Sequence, residues 1–183
     1  MKVEDYTDSG QPLIRLQNIE RSKFLMKGIK YVSDEKAEEL HNHSFKPGDI
    51  VFSKLGNPIG KTCRVPLNFS EGIVVADVVR IRPDEKLFNP DFLVEELNTN
   101  KVENQIKKET IGSTRTRLNL TQVRSLKIGT PSINEQNKIM GFLSNINKKI
   151  ELLEKKHKNY QDFKKYLMQQ IFAQKLRSIG LTI

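Results

Sequence analysis

The sequence predicts an α+β fold: a mixed domain of short strands and short helices, followed by one long coiled-coil-forming α-helix. Two observations carry that expectation. Over residues 11–128 the β-branched runs are separated by turn formers and short amphipathic stretches, without the regular alternation of a doubly wound sheet. From Ser132 onward apolar residues recur at spacings of four and three, the heptad rhythm of a helix that packs on another helix. The 183 residues have room for one ordinary domain and such an appendage. The patterns divide the chain into a globular domain at 1–131, a long helix at 132–178 and a tail at 179–183.

Taken in order, PLIRLQNI places a short strand at Leu13–Leu16, preceded by the turn formers of YTDSGQP. Ile29–Val32 reads as a second strand. Ser33 caps a short helix in SDEKAEEL, with acidic residues in its first turn and Ala37 and Leu40 facing inward. Pro47-Gly48 then makes a tight turn into a hairpin, with strands at Ile50–Leu55 and Thr62–Val65 and a loop at Gly56–Gly60. GIVVADVVRIRP, from Gly72 to Pro83, is the most β-branched run and reads as one central strand. Asp77 inside it needs a partner, and pairing with an arginine is favoured over a place at a binding face. NPDFLVEELNTN is a helix capped by Asn89 or Asp91, with Phe92, Leu93 and Leu97 on one face. A second helical stretch covers Val102–Lys108, and Leu126–Ile128 reads as a short strand before Pro131.

The terminal helix is expected to start at the capping box of Ser132 and Glu135 and to stop near Gly180. Its seam runs through Ile139, Leu143, Ile146, Ile150, Leu153, Tyr160, Leu167 and Ile171, with His157 and Lys164 on the same line. A helix of roughly 42 residues is about 63 Å long. No domain of this size covers such a rod, so the seam calls for a partner helix from another chain or a second half.

Composition narrows the function classes. Net charge is +9, from 31 basic against 22 acidic residues, which suits a polyanionic partner as well as a solvated surface. About two thirds of the excess falls on the terminal helix, in lysines such as Lys148, Lys149, Lys155 and Lys156. One cysteine, Cys63, excludes an internal disulfide, and no apolar run approaches the ~20 residues of a bilayer span. A soluble cytoplasmic protein without a membrane partner is expected.

Several motifs look chemical and fail on spacing. GNPIGKT has three residues, not four, between its first glycine and the Gly-Lys pair, and a strand where a phosphate-binding loop needs a helix. His41, Asn42 and His43 have no further ligands at metal spacing. Pro83-Asp84-Glu85-Lys86 lacks the second acid and lysine that a nuclease places on a following strand, and with no Ser/His/Asp or Cys/His arrangement and no dinucleotide fingerprint, no catalytic residue, metal site or cofactor is proposed. What remains is GSTRTRLN. Gly112 lets the backbone approach a phosphate, Ser113 and Thr114 offer donors, and Arg115 and Arg117 can grip a phosphate or a guanine edge. The loop SKLGNPIGK adds Lys54, Asn57 and Lys61. If both loops share one sheet edge they form a basic concave surface; otherwise they are polar linkers.

PLIRLQNI, KPGDIVFSKLGNPIGK, FLVEEL, IGSTRTRLN, TPSINEQNKI and the lysine-rich helix ending LMQQIF occur in that order. Together they resemble one half of the DNA-specificity subunit of type I restriction–modification systems, over Pro12 to about Phe172. The resemblance implies a target-recognition domain that reads double-stranded DNA, and a helix that pairs antiparallel with a second helix. It also implies docking to a methyltransferase subunit and association with a restriction subunit, with catalysis left to those partners. Such subunits carry two domains and two helices; this chain has one of each and begins near PLIRLQNI without the leading strand usual in such domains. The second helix would then come from a second copy or another half-subunit, and a homodimer would read an interrupted palindrome. Two other classes stay open: a coiled-coil adaptor that binds protein, and a cut-down methyltransferase or nuclease.

Overall fold

Strands and helices form where the apolar pattern and the turn chemistry coincide, and the computed structural model describes them for residues 3–110 and 117–173. Nine strands precede the main helices: β1 (Gln11–Ile14), β2 (Ile19–Glu20), β3 (Lys23–Phe24), β4 (Lys30–Val32), β5 (Ser44–Phe45), β6 (Ile50–Ser53), β7 (Thr62–Arg64), β8 (Gly72–Val74) and β9 (Val78–Ile81). The helices are α1 (Asp34–Glu39), α2 (Pro90–Leu97), α3 (Asn100–Thr110), α4 (Leu120–Arg124) and α5 (Ile133–Phe172). The fold is α+β, with a long C-terminal helix.

One sheet has the order β4-β1-β8-β5, with β1 and β8 parallel, and a second has the order β7-β6-β9, wholly antiparallel. Alternation along the buried strands builds the layers. Ile50 and Phe52 of β6 face Leu93, Val94, Leu97, Val102 and Ile106 of α2 and α3. Val51, Cys63 and Val78 face Ile14, Phe45 and Val74 of the first sheet. On that sheet's far side Leu13, Val32 and Ile73 pack against Ala37 and Leu40. The order of layers is therefore α2/α3, three-stranded sheet, four-stranded sheet, α1. Burial pushes the Cys63 thiol up to about 12, so it stays neutral and inert.

The structure revises several local expectations. The first strand ends at Ile14, and Leu16 falls in a single 3-10 turn, Leu16–Asn18. Residues 72–83 are not one central strand. The chain leaves the first sheet at Val75, turns through a Val78 N–H to Val75 carbonyl hydrogen bond of 2.9 Å, and enters the second sheet as its edge strand β9. Bends of this kind carry a strand between two packed sheets. Leu126–Ile128 is not a strand either. The Gln105 side-chain amide donates to the Lys127 carbonyl and accepts from the Lys127 N–H, both at 2.8 Å, and so takes the place of a neighbouring strand.

Caps agree closely with expectation. Ser33 accepts from the Lys36 N–H, Asn89 from those of Asp91 and Phe92, and Ser132 and Glu135 bond reciprocally at the start of α5. The 40 residues of α5 span about 60 Å. Its expected continuation to residue 178, the stop at Gly180 and the tail 179–183 lie outside the described residues. The chain divides into two units, 1–137 and 138–183. Among the described residues, no helix is long and apolar enough to cross a membrane.

Candidate nucleic-acid interface

Three segments meet at the end of β6. The Leu118 N–H donates to the Lys54 carbonyl at 2.9 Å, and Leu55 forms an isolated antiparallel bridge with Arg117. The Lys54 N–H in turn donates to the Asp77 carbonyl at 2.8 Å. Loop 54–61 and the segment that opens at Arg117 are thus joined by backbone hydrogen bonds, and the turn between β8 and β9 is part of the same junction.

The hairpin loop is closed tightly at its base. Ser53 donates to the Lys61 carbonyl at 2.9 Å and accepts from the Gly60 N–H at 3.0 Å. Gly60 has φ +86°, and a Cβ there would collide with Ile106 of α3. Ile59 is buried beneath the loop, while Gly56 and Asn57 are exposed at its tip. Between that tip and α3 lies a groove of about 480 Å³, lined by Asn57, Pro58, Glu103, Ile106, Lys107 and Thr110.

The expected cations differ in state. Lys54 is half-buried and, among the described residues, has no ion-pair partner. Lys61 is turned to Glu20, with Nζ 2.8 Å from Oε2, and this bond holds the Glu20 carboxyl below its ordinary range. Arg117 places Nη2 2.8 Å from Asp77 Oδ1 and stays about half exposed. Asp77 therefore does pair with an arginine, the same one read as a candidate ligand contact. Gly112, Ser113, Thr114 and Arg115 lie outside the described residues. Sequence reasoning missed Lys107, which lines the groove beside Asn57 and pairs with Glu103 at 2.7 Å. Its signal was the (i, i+4) Glu-to-Lys spacing on a helix.

Both hydrogen bonds to Glu103, from Arg21 and then Lys107, lower its carboxyl to about 2. Among the described residues, no group of three or more His, Cys, Asp or Glu side chains is placed to hold a metal.

On α5, Ile139, Ile146, Ile150, Leu153, Tyr160 and Ile171 are exposed, and Leu143 and Leu167 are half-buried. His157 and Lys164 are exposed on the same seam. Eight lysines stand against three acids between Lys138 and Phe172.

Comparison with known proteins decides the family. Residues 5–161 match the model of the type I restriction modification DNA specificity domain. The chain belongs to this family. A curated relative from Methanocaldococcus jannaschii, named "Putative type I restriction enzyme MjaX specificity subunit", is 29% identical over an alignment of 178 positions that covers 91% of this chain and 41% of that protein. The crystal structure of the HsdS subunit from Thermoanaerobacter tengcongensis superposes with a TM-score of 0.67 at 16% identity, covering 98% of this chain and 48% of that one. A chain from a study of complex assembly and conformational transition of the type I R-M system gives a TM-score of 0.64 at 16% identity, over 94% and 45%. These two likenesses show the fold. The specificity-domain chain described here spans less than half the length of each of these relatives.

Proposed function

We propose that this chain is a non-catalytic DNA-recognition module of a type I restriction–modification complex. It reads one half of a bipartite target in double-stranded DNA. The observation that carries this reading is the family match over residues 5–161. The junction of Lys54–Leu55 with Arg117–Leu118 supports a reading surface made from Lys54, Asn57 and Arg117; Gly112, Ser113, Thr114 and Arg115 remain candidates from the sequence. Arg117 can grip a guanine edge with two donors, and Lys54 can hold a phosphate. The seam of α5 would pair with a second copy or another half-subunit. The same reading places docking of a methyltransferase subunit on the chain, recruits a restriction subunit through it, and puts the complex in the cytoplasm.

Selection from a random duplex pool by the full-length chain tests this reading, alongside a size measurement. One short half-site per chain should be enriched, with affinity falling steeply as salt rises. For two copies related by a two-fold, the enriched duplex should be an interrupted palindrome. Absence of any enriched sequence, or methyl transfer or cleavage by the purified chain alone, would count against it.

A further inference from the structure

The Arg117–Asp77 pair carries an inference that rests on this DNA-reading function and goes a step beyond it. We propose that Asp77 is a positioning residue for Arg117, holding its guanidinium for recognition of a guanine edge in duplex DNA.

The backbone fixes both partners on one framework. Asp77 sits in the turn closed by Val78 and Val75, and its carbonyl accepts from Lys54. Arg117 is bridged to Leu55, and its neighbour Leu118 donates to the same Lys54. The separation of carboxylate and guanidinium is thus set through a single residue at the end of β6.

The pair also differs from the structural arginine pairs of this domain. Asp49 takes a two-pronged contact from Arg82 at 2.7 and 2.6 Å and a further bond from the Lys46 N–H, which satisfies both oxygens. Among the described residues, Asp77 Oδ1 is buried yet receives no well-aligned hydrogen bond, although Arg117 Nη2 stands 2.8 Å away. The short distance marks attraction, and the missing alignment marks a donor not yet turned onto its acceptor. Leaving a buried carboxylate oxygen in that state is unfavourable for folding. A modest rotation of the guanidinium, as when its other N–H groups meet a base, would complete the bond.

Arg117 is 51% exposed, and its contact with Asp77 engages only Nη2 of a guanidinium that carries five N–H donors. A tethered guanidinium gives up less rotamer freedom when it binds. An acid on a surface meant only to attract phosphates would repel them. Its presence beside the half-exposed arginine favours selectivity over bulk attraction.

The test compares the full-length chain with Asp77→Asn, Arg117→Ala and the double variant, on the selected duplex and on a scrambled one. Asp77→Asn and Arg117→Ala should each weaken the selected duplex roughly 5- to 150-fold and lose discrimination at the same base pair. The double variant should be no worse than Arg117→Ala. Because Asp77→Asn removes a negative charge, its affinity for the scrambled duplex should be unchanged or higher. A merely structural Asp77 would instead lower both affinities and the melting temperature together, which would overturn the proposal. So would an Asp77→Asn chain as selective as wild type, or an Arg117→Ala chain weakened equally on both duplexes. If Asp77→Asn fails to fold, Asp77→Glu takes its place; it keeps the charge, shifts the carboxylate by one methylene, and should blur the same base pair. A wild-type chain that enriches no sequence defeats the proposed function itself, a result distinct from selective binding that survives loss of the Asp77 charge.

Discussion

Gln136, in the first turn of α5, is fully buried with its whole amide engaged. Its Oε1 accepts from the Asn89 N–H at 2.8 Å, and its Nε2 donates to the Leu87 and Pro131 carbonyls at 3.0 and 2.9 Å. One side chain thereby ties the entry of α2 to the entry of the long helix. Replacing it with Leu keeps the bulk but leaves one part-buried donor, the Asn89 N–H, and two acceptors, the Leu87 and Pro131 carbonyls, without partners. Gln136→Leu should cost roughly 2–4 kcal/mol, given a penalty of about 1–3 kcal/mol per stranded group and partial access of water. A shift of the denaturation midpoint with unchanged slope is the expected result. Glu103 gives a second residue-level prediction, in pH. Its carboxyl falls from the ordinary 4.5 to about 2 because Arg21 and Lys107 hydrogen-bond it, tying the β2–β3 hairpin to α3. A folded-state value below the unfolded one stabilises the fold above the unfolded value and ceases to do so as pH falls through the folded one. Between pH 4.5 and about 2, then, stability should fall less steeply for Glu103→Gln than for wild type, as read by denaturation midpoints across that range.

At the level of elements, the parallel pairing of β1 with β8 depends on Gly72. A Cβ there would stand inside the contact distance of the Pro12 carbonyl, which is backbone and cannot step aside. Gly72→Ala should wedge β8 from β1 and destabilise the domain by about 1–3 kcal/mol. Amide exchange should quicken first at the hydrogen bonds flanking residues 13–14 and 73–75. Elements with local chemical signatures were legible in the sequence. Ser33, Asn89 and the Ser132–Glu135 box marked helix starts, and Pro47-Gly48 with Gly56–Gly60 marked the hairpin. Elements whose partners lie far along the chain were not. Residues 72–83 read as one strand because nothing in a continuous β-branched run shows that its halves join different sheets. Leu126 and Ile128 do pack on the core as apolar residues should, but Gln105, distant in sequence, supplies the hydrogen bonds that a strand would have needed. The β2–β3 hairpin escaped notice because its turn uses Arg21 and Ser22, with Ser22 at φ 54° and no glycine or asparagine to signal it. The start of α4 was readable after all, since Asn119 and Gln122 form a reciprocal capping box. In the candidate interface, the sequence offered residue types and not their pairing states: Lys61 is engaged by Glu20 of a hairpin the sequence did not reveal, while Lys54 has no ion-pair partner among the described residues.

For the molecule as a whole, the decisive quantity is the apolar stripe of α5. Leu153 is 56% exposed and Ile150 47%, in a seam of ten positions of which eight are apolar. Burying a Leu or Ile side chain fully contributes about 1.5–3 kcal/mol. A seam of this length can therefore hold two helices together, even with His157 and Lys164 each weakening a layer. In the proposed pairing of two copies, one reading surface reinforces the other. Once the first half-site is bound, the second event is intramolecular, and linked sites commonly gain a factor of about 10²–10⁴. The double variant Ile150→Asp/Leu153→Asp places two carboxylates in adjacent layers and should leave the chain monomeric in solution. The proposed DNA surface is untouched, so affinity for a duplex with one half-site should match that of wild type. Affinity for the complete two-part target should fall by about that factor of 10²–10⁴. The slope of log affinity against log salt should halve as well, because half as many phosphates are contacted in one event. Light scattering together with binding titrations over a salt series measures all three. A variant that stays dimeric, or that binds the complete target as tightly as wild type, would show that the stripe serves some other contact than the joining of two reading surfaces.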